Sequence, residues 1–127
     1  MEKERTEAMN KEHLYAFIEA NPSCSFSEIE RFFEANGFEY RGESCIEHGP
    51  ESNVMFWSGW NHEAVEMICE LAAEGRIGLQ PVPFFLALTF GRQYRLPIAK
   101  QPNHRYKELH WCPAVVCPAK APAVRTA

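Results

Sequence analysis

The sequence predicts an α+β domain of winged-helix-like type, with three helices, a β-hairpin inserted between helices 2 and 3, and a C-terminal β wing. In the first two segments, apolar residues recur at the spacing of a helix. They are followed by a stretch in which apolar and polar residues alternate on both sides of a turn. A third helical segment is followed directly by another stretch in which apolar and polar residues alternate, as in a strand. At 127 residues, of which 46% are hydrophobic, the chain is large enough for one core. We expect a single globular domain over 1–118 and a disordered tail at 119–127, which has no aromatic residues.

The first helix is predicted over residues 4–20. Its apolar residues recur at helical spacing and therefore share one face. Pro22 ends the helix, because the residue before a proline is pushed out of helical backbone. The residues of the apolar face are Leu14, Phe17 and Ile18.

The second helix has the clearest local signal in the chain, in the stretch SFSEIERFFEANGF. Ser25 and Glu28 form a capping box at its start, and Gly37 supplies the left-handed residue that ends it. Phe32 and Phe33 lie on its predicted buried face, so we expect at least one of them in the core.

A hairpin separates the second helix from the third. Residues 39–47 and 53–58 have the pattern of two strands, joined by the turn HGPES. Asn61 caps the third helix, which ends at Gly75. A helix-turn-helix joins its two helices by about 3 to 4 residues. Because the inserted hairpin is much longer, the usual docking geometry on DNA is not expected.

The predicted wing consists of two strands after the third helix. Ile77 and Leu79 alternate with polar or small residues in the first strand, and the second strand is predicted at 94–99. Pro97 lies in that second strand and must occupy an edge or a bulge. The link VPFFLALTFG is too apolar for a bare loop, so we expect it to fold back over the core.

The charges are divided between the two ends of the chain. Residues 1–75 hold 16 Glu and 5 Lys or Arg, a balance of −11. Residues 76–127 hold 8 Lys or Arg and one Glu, a balance of +7. This division indicates a basic partner for one end and an acidic or polyanionic partner for the other, and internal ion pairing is the alternative.

The third helix carries a row of carboxylates spaced by three, four and four residues, which places them on one face. No Lys or Arg lies between Asn61 and Gly75, so the face repels phosphate and is unsuited to reading DNA. It predicts a docking surface for a basic protein, and a solvated helix face is the alternative. Trp57 is expected in the core, whereas Trp60 is grouped with the docking face. The candidate contact residues are Glu63, Glu66, Glu70, Glu74 and Trp60.

The C-terminal half offers a second candidate surface, which would contact a nucleic-acid backbone as a wing does. Its basic residues are interleaved with Tyr94 and Tyr106. The alternative is a basic edge that discourages pairing with other sheets. The candidate residues are Arg92, Arg95, Lys100, Arg105 and Lys107.

The five cysteines are an odd number without a dense framework, which predicts reduced thiols. Cys69 lies in the apolar stripe of the third helix and is expected in the core. Cys112 and Cys117 have a spacing that zinc sites tolerate. A second ligand pair would have to come from His104 and His110, and the alternation here equally favours a buried terminal strand. We predict neither a metal nor another cofactor.

The sequence has no motif of a common enzyme class. There is no G-x-x-x-x-G-K-[ST] phosphate loop and no G-x-S-x-G elbow, and NHEAVEM lacks the second histidine of H-E-x-x-H. Cys45 and His48 have no third group to orient them. No apolar run has the length of a membrane span, and the charged N-terminus does not resemble a signal peptide. We expect a soluble, cytoplasmic, non-enzymatic protein without membrane contact.

Aromatic residues are concentrated in stretches such as FSEIERFFEANGFEYRG and NVMFWSGWNHEAVEMICELAAEGRIGLQP, with RLPIAK and YKELHWCPAVV further on. Together, within residues 14–117, these stretches resemble a group of small proteins encoded by phages and phage-related pathogenicity islands. Because the motifs are aromatic and structural rather than catalytic, the resemblance implies origin and fold more than activity.

Small accessory proteins of mobile elements commonly either regulate transcription of the element or disable a host protein, and this analogy frames two hypotheses. The first is an accessory protein that binds a host or phage protein, with a counter-defence, anti-CRISPR-like role in the host bacterial cell. A nucleic-acid-binding defence effector would present the basic surface that the acidic helix face requires. The second is a winged-helix DNA-binding regulator that uses its basic wing.

Overall fold

The computed structural model describes residues 9–49, 52–92, 94–99 and 105–119, and over these ranges the chain is mixed α+β. The helices are α1 (Lys11–Ala20), α2 (Phe26–Ala35), α3 (His62–Ala73) and α4 (Phe84–Ala87), with a 3₁₀ turn at Leu88–Phe90. The strands are β1 (Arg41–Glu47), β2 (Val54–Trp60), β3 (Ile77–Pro81), β4 (His110–Trp111) and β5 (Ala114–Pro118).

Helix α1 begins later than predicted. Asn10 has extended backbone, and its side chain accepts a hydrogen bond of 3.1 Å from the backbone N–H of His13. This cap starts α1 at Lys11, so the helix does not include positions 9 and 10, which the prediction places in it. Residues 1–8 lie outside the described part of the chain. The predicted apolar face is confirmed, with Leu14 and Ile18 fully buried and Phe17 partly buried.

Helix α2 agrees with its prediction. The Ser25 side chain accepts a hydrogen bond from the Glu28 N–H, while the Glu28 carboxylate accepts one from the Ser25 N–H. Gly37 follows the helix with a φ of 67°, in the left-handed region that favours glycine. Phe33 is fully buried and Phe32 is partly buried, so the expectation that at least one of them lies in the core is confirmed.

Two small sheets organise the strands. β1 and β2 pair antiparallel, which confirms the predicted hairpin, and β4 lies parallel to the other side of β2. β3 and β5 pair antiparallel in a second sheet, from Ile77 opposite Pro118 to Pro81 opposite Ala114. β5 contains Val115 and Val116, so the terminal strand that their alternation favours is present.

The second strand of the predicted wing, at 94–99, does not form. The segment makes one isolated parallel bridge, which joins Ile98 to Trp111. Pro97 has no N–H to donate, so it interrupts any longer ladder, although its carbonyl accepts a hydrogen bond of 2.8 Å from Trp111. β3 pairs instead with β5. The proline of β5 is the last residue of that strand, so it does not interrupt the ladder.

The hairpin determines where α3 starts. The Asn61 N–H donates to the Tyr40 carbonyl at 2.6 Å, and Asn61 Nδ2 donates to the Glu39 carbonyl at 2.8 Å. Gly42 lies so close that a Cβ on it would come within 2.5 Å of the Asn61 Cα. Asn61 Oδ1 accepts a hydrogen bond of 2.8 Å from the Ala64 N–H, which confirms the predicted cap. The hairpin thus holds the first turn of α3.

The core is built from aromatic side chains of α2 and β2. Phe26 packs on Trp57 with ring centroids 5.6 Å apart, and Phe33 packs on Trp60 at 5.2 Å. Trp57 and Trp60 are both buried, as is Trp111 of β4. The prediction that Trp57 belongs to the core is confirmed.

Cys69 is exposed, and its predicted place in the core is wrong. The buried stripe of α3 passes through Ile68 and Leu71 instead. Because consecutive helical residues are rotated by about 100°, Cys69 lies beside the stripe, on the side of Glu66 and Glu70.

The apolar link after β3 folds over the core, as predicted, but only in part. Ala87 and Phe90 are buried. Four large apolar side chains of the link stay exposed, namely Phe84, Phe85, Leu86 and Leu88.

Within the described ranges, no helix has both the length and the apolar character that crossing a membrane requires. The tail predicted at 119–127 falls outside the described residues from position 120 onward.

Candidate functional site

Helix α3 presents its carboxylates away from the core. Ala64, Ile68 and Leu71 form the buried side of the helix. The opposite side holds the predicted contact residues, and no Lys or Arg occurs within the helix. The exposed carboxylates are Glu63, Glu66, Glu70 and Glu74.

Neighbouring cations neutralise the C-terminal end of this face. Lys11 Nζ of α1 lies 2.5 Å from Glu74 Oε2 and 3.4 Å from Glu70 Oε1. Arg76 contacts Glu74 at 3.1 Å and Glu12 at 2.6 Å. The hydrogen bond between Lys11 and Glu74 lowers the pKa of the carboxyl and raises the pKa of the ammonium. Both charges are therefore present together at neutral pH.

The N-terminal half of α3 keeps its negative charge. Within the described residues, neither Glu63 nor Glu66 forms an ion pair with a Lys or Arg. His62 Nε2 lies 3.4 Å from Glu66 Oε2, and it adds a positive charge only when it is protonated. We call Glu63, Glu66 and Glu70 the acidic patch.

Trp60 does not belong to the accessible face, which corrects the sequence-based assignment. Its side chain is fully buried, with an exposed fraction of 0%. The indole N–H of Trp60 and that of Trp57 both donate to Glu30 Oε2, each at 2.9 Å. Phe26 and Phe33 pack around the Trp60 ring. The side chain can lie in the core because its one polar group donates to the largely buried carboxylate of Glu30.

Arg92 is held by internal contacts. Its Nη2 donates to Glu30 Oε2 at 2.9 Å, and its Nη1 donates to the Ser58 carbonyl at 2.7 Å. The guanidinium also lies over the Trp57 ring, 4.6 Å from the centroid. Tyr94, two positions after Arg92, accepts a hydrogen bond of 2.9 Å from the Ser58 N–H. The charge of Arg92 is therefore directed at Glu30 rather than at solvent.

The other basic candidates lie on separate segments. Arg95 is exposed within 94–99, and Arg105 and Lys107 are exposed beyond the gap in the described residues. Lys100 lies outside the described part of the chain. The described portion thus shows exposed cations after position 94.

Burial raises the pKa of the Cys45 and Cys112 thiols. Cys112 is buried, and burial raises its pKa to about 11. Cys45 is also raised to a pKa of about 11, first by burial and then by its hydrogen bond to Glu47. In the described ranges, no three His, Cys, Asp or Glu side chains are grouped to hold a metal ion. His104, the fourth candidate ligand, lies outside those ranges.

Sequence reasoning missed two features of these surfaces. The first is the Glu30 carboxylate, which joins α2 to β2 and to Arg92. The sequence signal for this contact was the position of Glu30, a charged residue among the buried positions of α2. The second is Lys11, whose position beside Glu70 and Glu74 depends on the packing of α1 on α3.

No protein-family model matches the sequence, and neither the curated proteins nor the solved structures include a significant match.

Proposed function

We propose that the protein is a non-enzymatic accessory protein of a phage or related mobile element, which binds a host or phage protein through the acidic patch on α3. Its role in this proposal is counter-defence of the anti-CRISPR-like kind, by analogy with small accessory proteins of mobile elements. The target class is a basic protein, with a nucleic-acid-binding defence effector as the leading candidate.

One observation carries the proposal: α3 exposes Glu63, Glu66 and Glu70 without an intervening cation. Lys11 offsets the patch only at its C-terminal end, where it lies 3.4 Å from Glu70. Opposite charges across an interface speed association and reject wrongly charged partners. A surface that normally holds nucleic acid supplies many Lys and Arg side chains and is therefore a suitable counterpart.

The position of the patch supports a rigid docking element. Asn61 is fixed by the hairpin through the carbonyls of Tyr40 and Glu39, and Gly42 packs against it. At the other end, Lys11 ties α3 to α1. A helix held at both ends presents its side chains without a cost for ordering the backbone on binding.

The experiment is affinity capture from a bacterial lysate, followed by binding measurements with the purified captured protein. The test variant is Glu63→Lys/Glu66→Lys, which leaves Glu70 in place because a lysine there would face Lys11. We expect at least a tenfold loss of affinity. The matched control is Glu19→Lys/Glu43→Lys, which changes net charge equally at exposed positions outside α3. Equal binding by both variants would contradict the proposal.

The second candidate is a winged-helix-like DNA-binding regulator. It is favoured by the order of elements, because the two-stranded sheet of β3 and β5 includes the strand that directly follows α3, as a wing follows a recognition helix. Exposed Arg95 and Lys107 would contact phosphates.

Duplex DNA separates the two candidates. A regulator would bind it tightly, and Arg95→Ala/Lys107→Ala would weaken binding and flatten its dependence on salt. Arg92 is unsuitable for this test because its replacement would disturb the core. A docking protein would bind duplex DNA weakly, and reversal of Glu63 and Glu66 would leave that binding unchanged or raise it.

A further inference from the structure

The link after β3 carries an uncharged apolar surface. This surface shares no residue with the acidic patch. Residues 77–91 contain no Asp, Glu, Lys, Arg or His. Phe85 is 67% exposed and Leu88 is 50% exposed, while Phe84 and Leu86 are each close to half exposed. Single exposed apolar residues are ordinary, but a cluster of this kind marks an interaction surface. We call Phe84, Phe85, Leu86 and Leu88 the apolar ridge.

A cavity adjoins the ridge. It has a volume of about 360 Å³, and Phe84 belongs both to its wall and to the ridge. Its volume falls within the usual range of binding pockets, and its lining side chains are all apolar. The remaining lining residues are Pro81, Val82, Pro83, Ile98 and Ala99.

We propose that the apolar ridge and its cavity form the docking site for a second copy of this chain. A two-fold symmetric interface uses the same patch on both copies, so the patch must be complementary to itself, and a projection beside a recess meets that condition. Phe85, the most exposed of the ridge side chains, follows Phe84 of the cavity wall directly in the chain. Each copy thus offers an aromatic projection next to a recess of the same apolar chemistry.

Charge favours a second copy over other occupants. A nucleic acid would find no cation within 77–91 to neutralise its phosphates. A strongly charged protein surface would lose hydration against the ridge without gaining an ion pair. The ridge of another copy is itself uncharged, so the contact buries no charge from residues 77–91. A patch built on one short segment is smaller than a standard interface, so the dimer should be weak, with a Kd in the micromolar range or above.

Sedimentation velocity of the full chain over a range of concentrations tests the proposal. The mass should rise from one copy to two and stop there, because a two-fold interface closes on itself. Phe85→Glu, and separately Leu88→Glu, should hold the protein as a monomer. Each substitution would place two like charges in the interface, one from each copy. Leu109→Glu is the matched control, because Leu109 is 39% exposed outside the ridge, and it should dimerise like the parent.

Circular dichroism melts verify that each variant is folded. A parent protein that stays monomeric at all concentrations would overturn the proposal, as would dimers that persist in both ridge variants. Assembly beyond two copies would also overturn it. If the parent is monomeric and Phe85→Glu instead abolishes binding to the captured partner, the ridge belongs to that partner's interface and the second copy is excluded. Because the acidic patch is untouched, failure here leaves the proposed function standing.

Discussion

Glu30 is the residue on which the polar interior depends. One oxygen of its carboxylate accepts hydrogen bonds from Trp57, Trp60 and Arg92, each at 2.9 Å. Its side chain is only 12% exposed, whereas that of Arg92 is 36% exposed. A carboxylate so far from water is costly unless it is paired and hydrogen-bonded. The three donors provide that compensation and connect α2, β2 and the segment after the 3₁₀ turn.

Removal of Arg92 should therefore destabilise the protein more than removal of an exposed cation. Arg92→Met leaves Glu30 with its two indole donors but without a counter-charge. We expect a loss of about 2 to 3 kcal/mol in the free energy of unfolding, less than the roughly 3 to 5 kcal/mol for breaking a fully buried pair, because Arg92 is partly exposed. Urea denaturation measures this, with Arg95→Met as the exposed control.

A double-mutant cycle with Glu30→Gln isolates the ion pair. The effect of Arg92→Met should shrink when Glu30 is already neutral, since no buried charge is then left unpaired. If both single variants unfold like the parent, the hydrogen bonds around Glu30 do not contribute as argued.

The elements differ in how far local signals determine them. The capping box of α2 and the glycine after it are contained within 13 residues, and both are present as predicted. The hairpin and the cap of α3 were predictable for the same reason. The pairing of β3 with β5 joins Ile77 to Pro118, and alternation within a strand does not identify its partner. That is why the sequence assigned the wrong partner, at 94–99.

In the candidate site too, local sequence determines some features and long-range packing determines others. The shared face of Glu63, Glu66 and Glu70 follows from helical spacing alone, so the sequence predicted it. The partial neutralisation of Glu70 and Glu74 by Lys11 depends on how α1 packs on α3, and nothing local encodes that contact. Trp60 was misplaced because its buried partner, Glu30, lies on another element.

Helix α2 should contribute to stability mainly through Phe33. That side chain is fully buried against Trp60 and Phe38, whereas Phe32 is partly exposed and stacks on Phe17. Phe33→Ala should cost about 3 to 5 kcal/mol in the free energy of unfolding, because it leaves a cavity. Phe32→Ala should cost distinctly less. Thermal melts compare the two, and an equal or larger loss for Phe32→Ala would mean that the buried face of α2 is misassigned.

At the scale of the whole molecule, ion pairs connect the acidic elements to their few cations. Arg76 lowers the pKa of Glu12, and Lys11 together with Arg76 lowers the pKa of Glu74, from an ordinary value of 4.5 in each case. Both carboxylates are exposed, so each pair contributes modestly and is screened by salt. Their common effect is to hold α1 and the end of α3 together.

These shifts predict weaker folding in acid. A carboxyl whose folded pKa lies below its unfolded value adds stability above about pH 4.5, and that stability is lost as the pH falls through the lowered pKa. Urea denaturation should show this loss below about pH 4.5. Glu12→Gln/Glu74→Gln should reduce the pH dependence, while Glu43→Gln, at an exposed position on β1, should preserve it. An unchanged acid dependence in the double variant would show that these pairs contribute nothing.

In the proposed function, the acidic patch contacts a basic partner through opposite charge. An electrostatically steered encounter responds to salt mainly through its association rate. The most direct measurement is therefore the association rate constant with the captured partner, as a function of salt, for the parent and for Glu63→Lys/Glu66→Lys. We predict that the parent rate falls steeply with salt, and that the variant associates roughly tenfold or more slowly at low salt. Association rates that coincide for the two proteins at every salt concentration would contradict docking through α3.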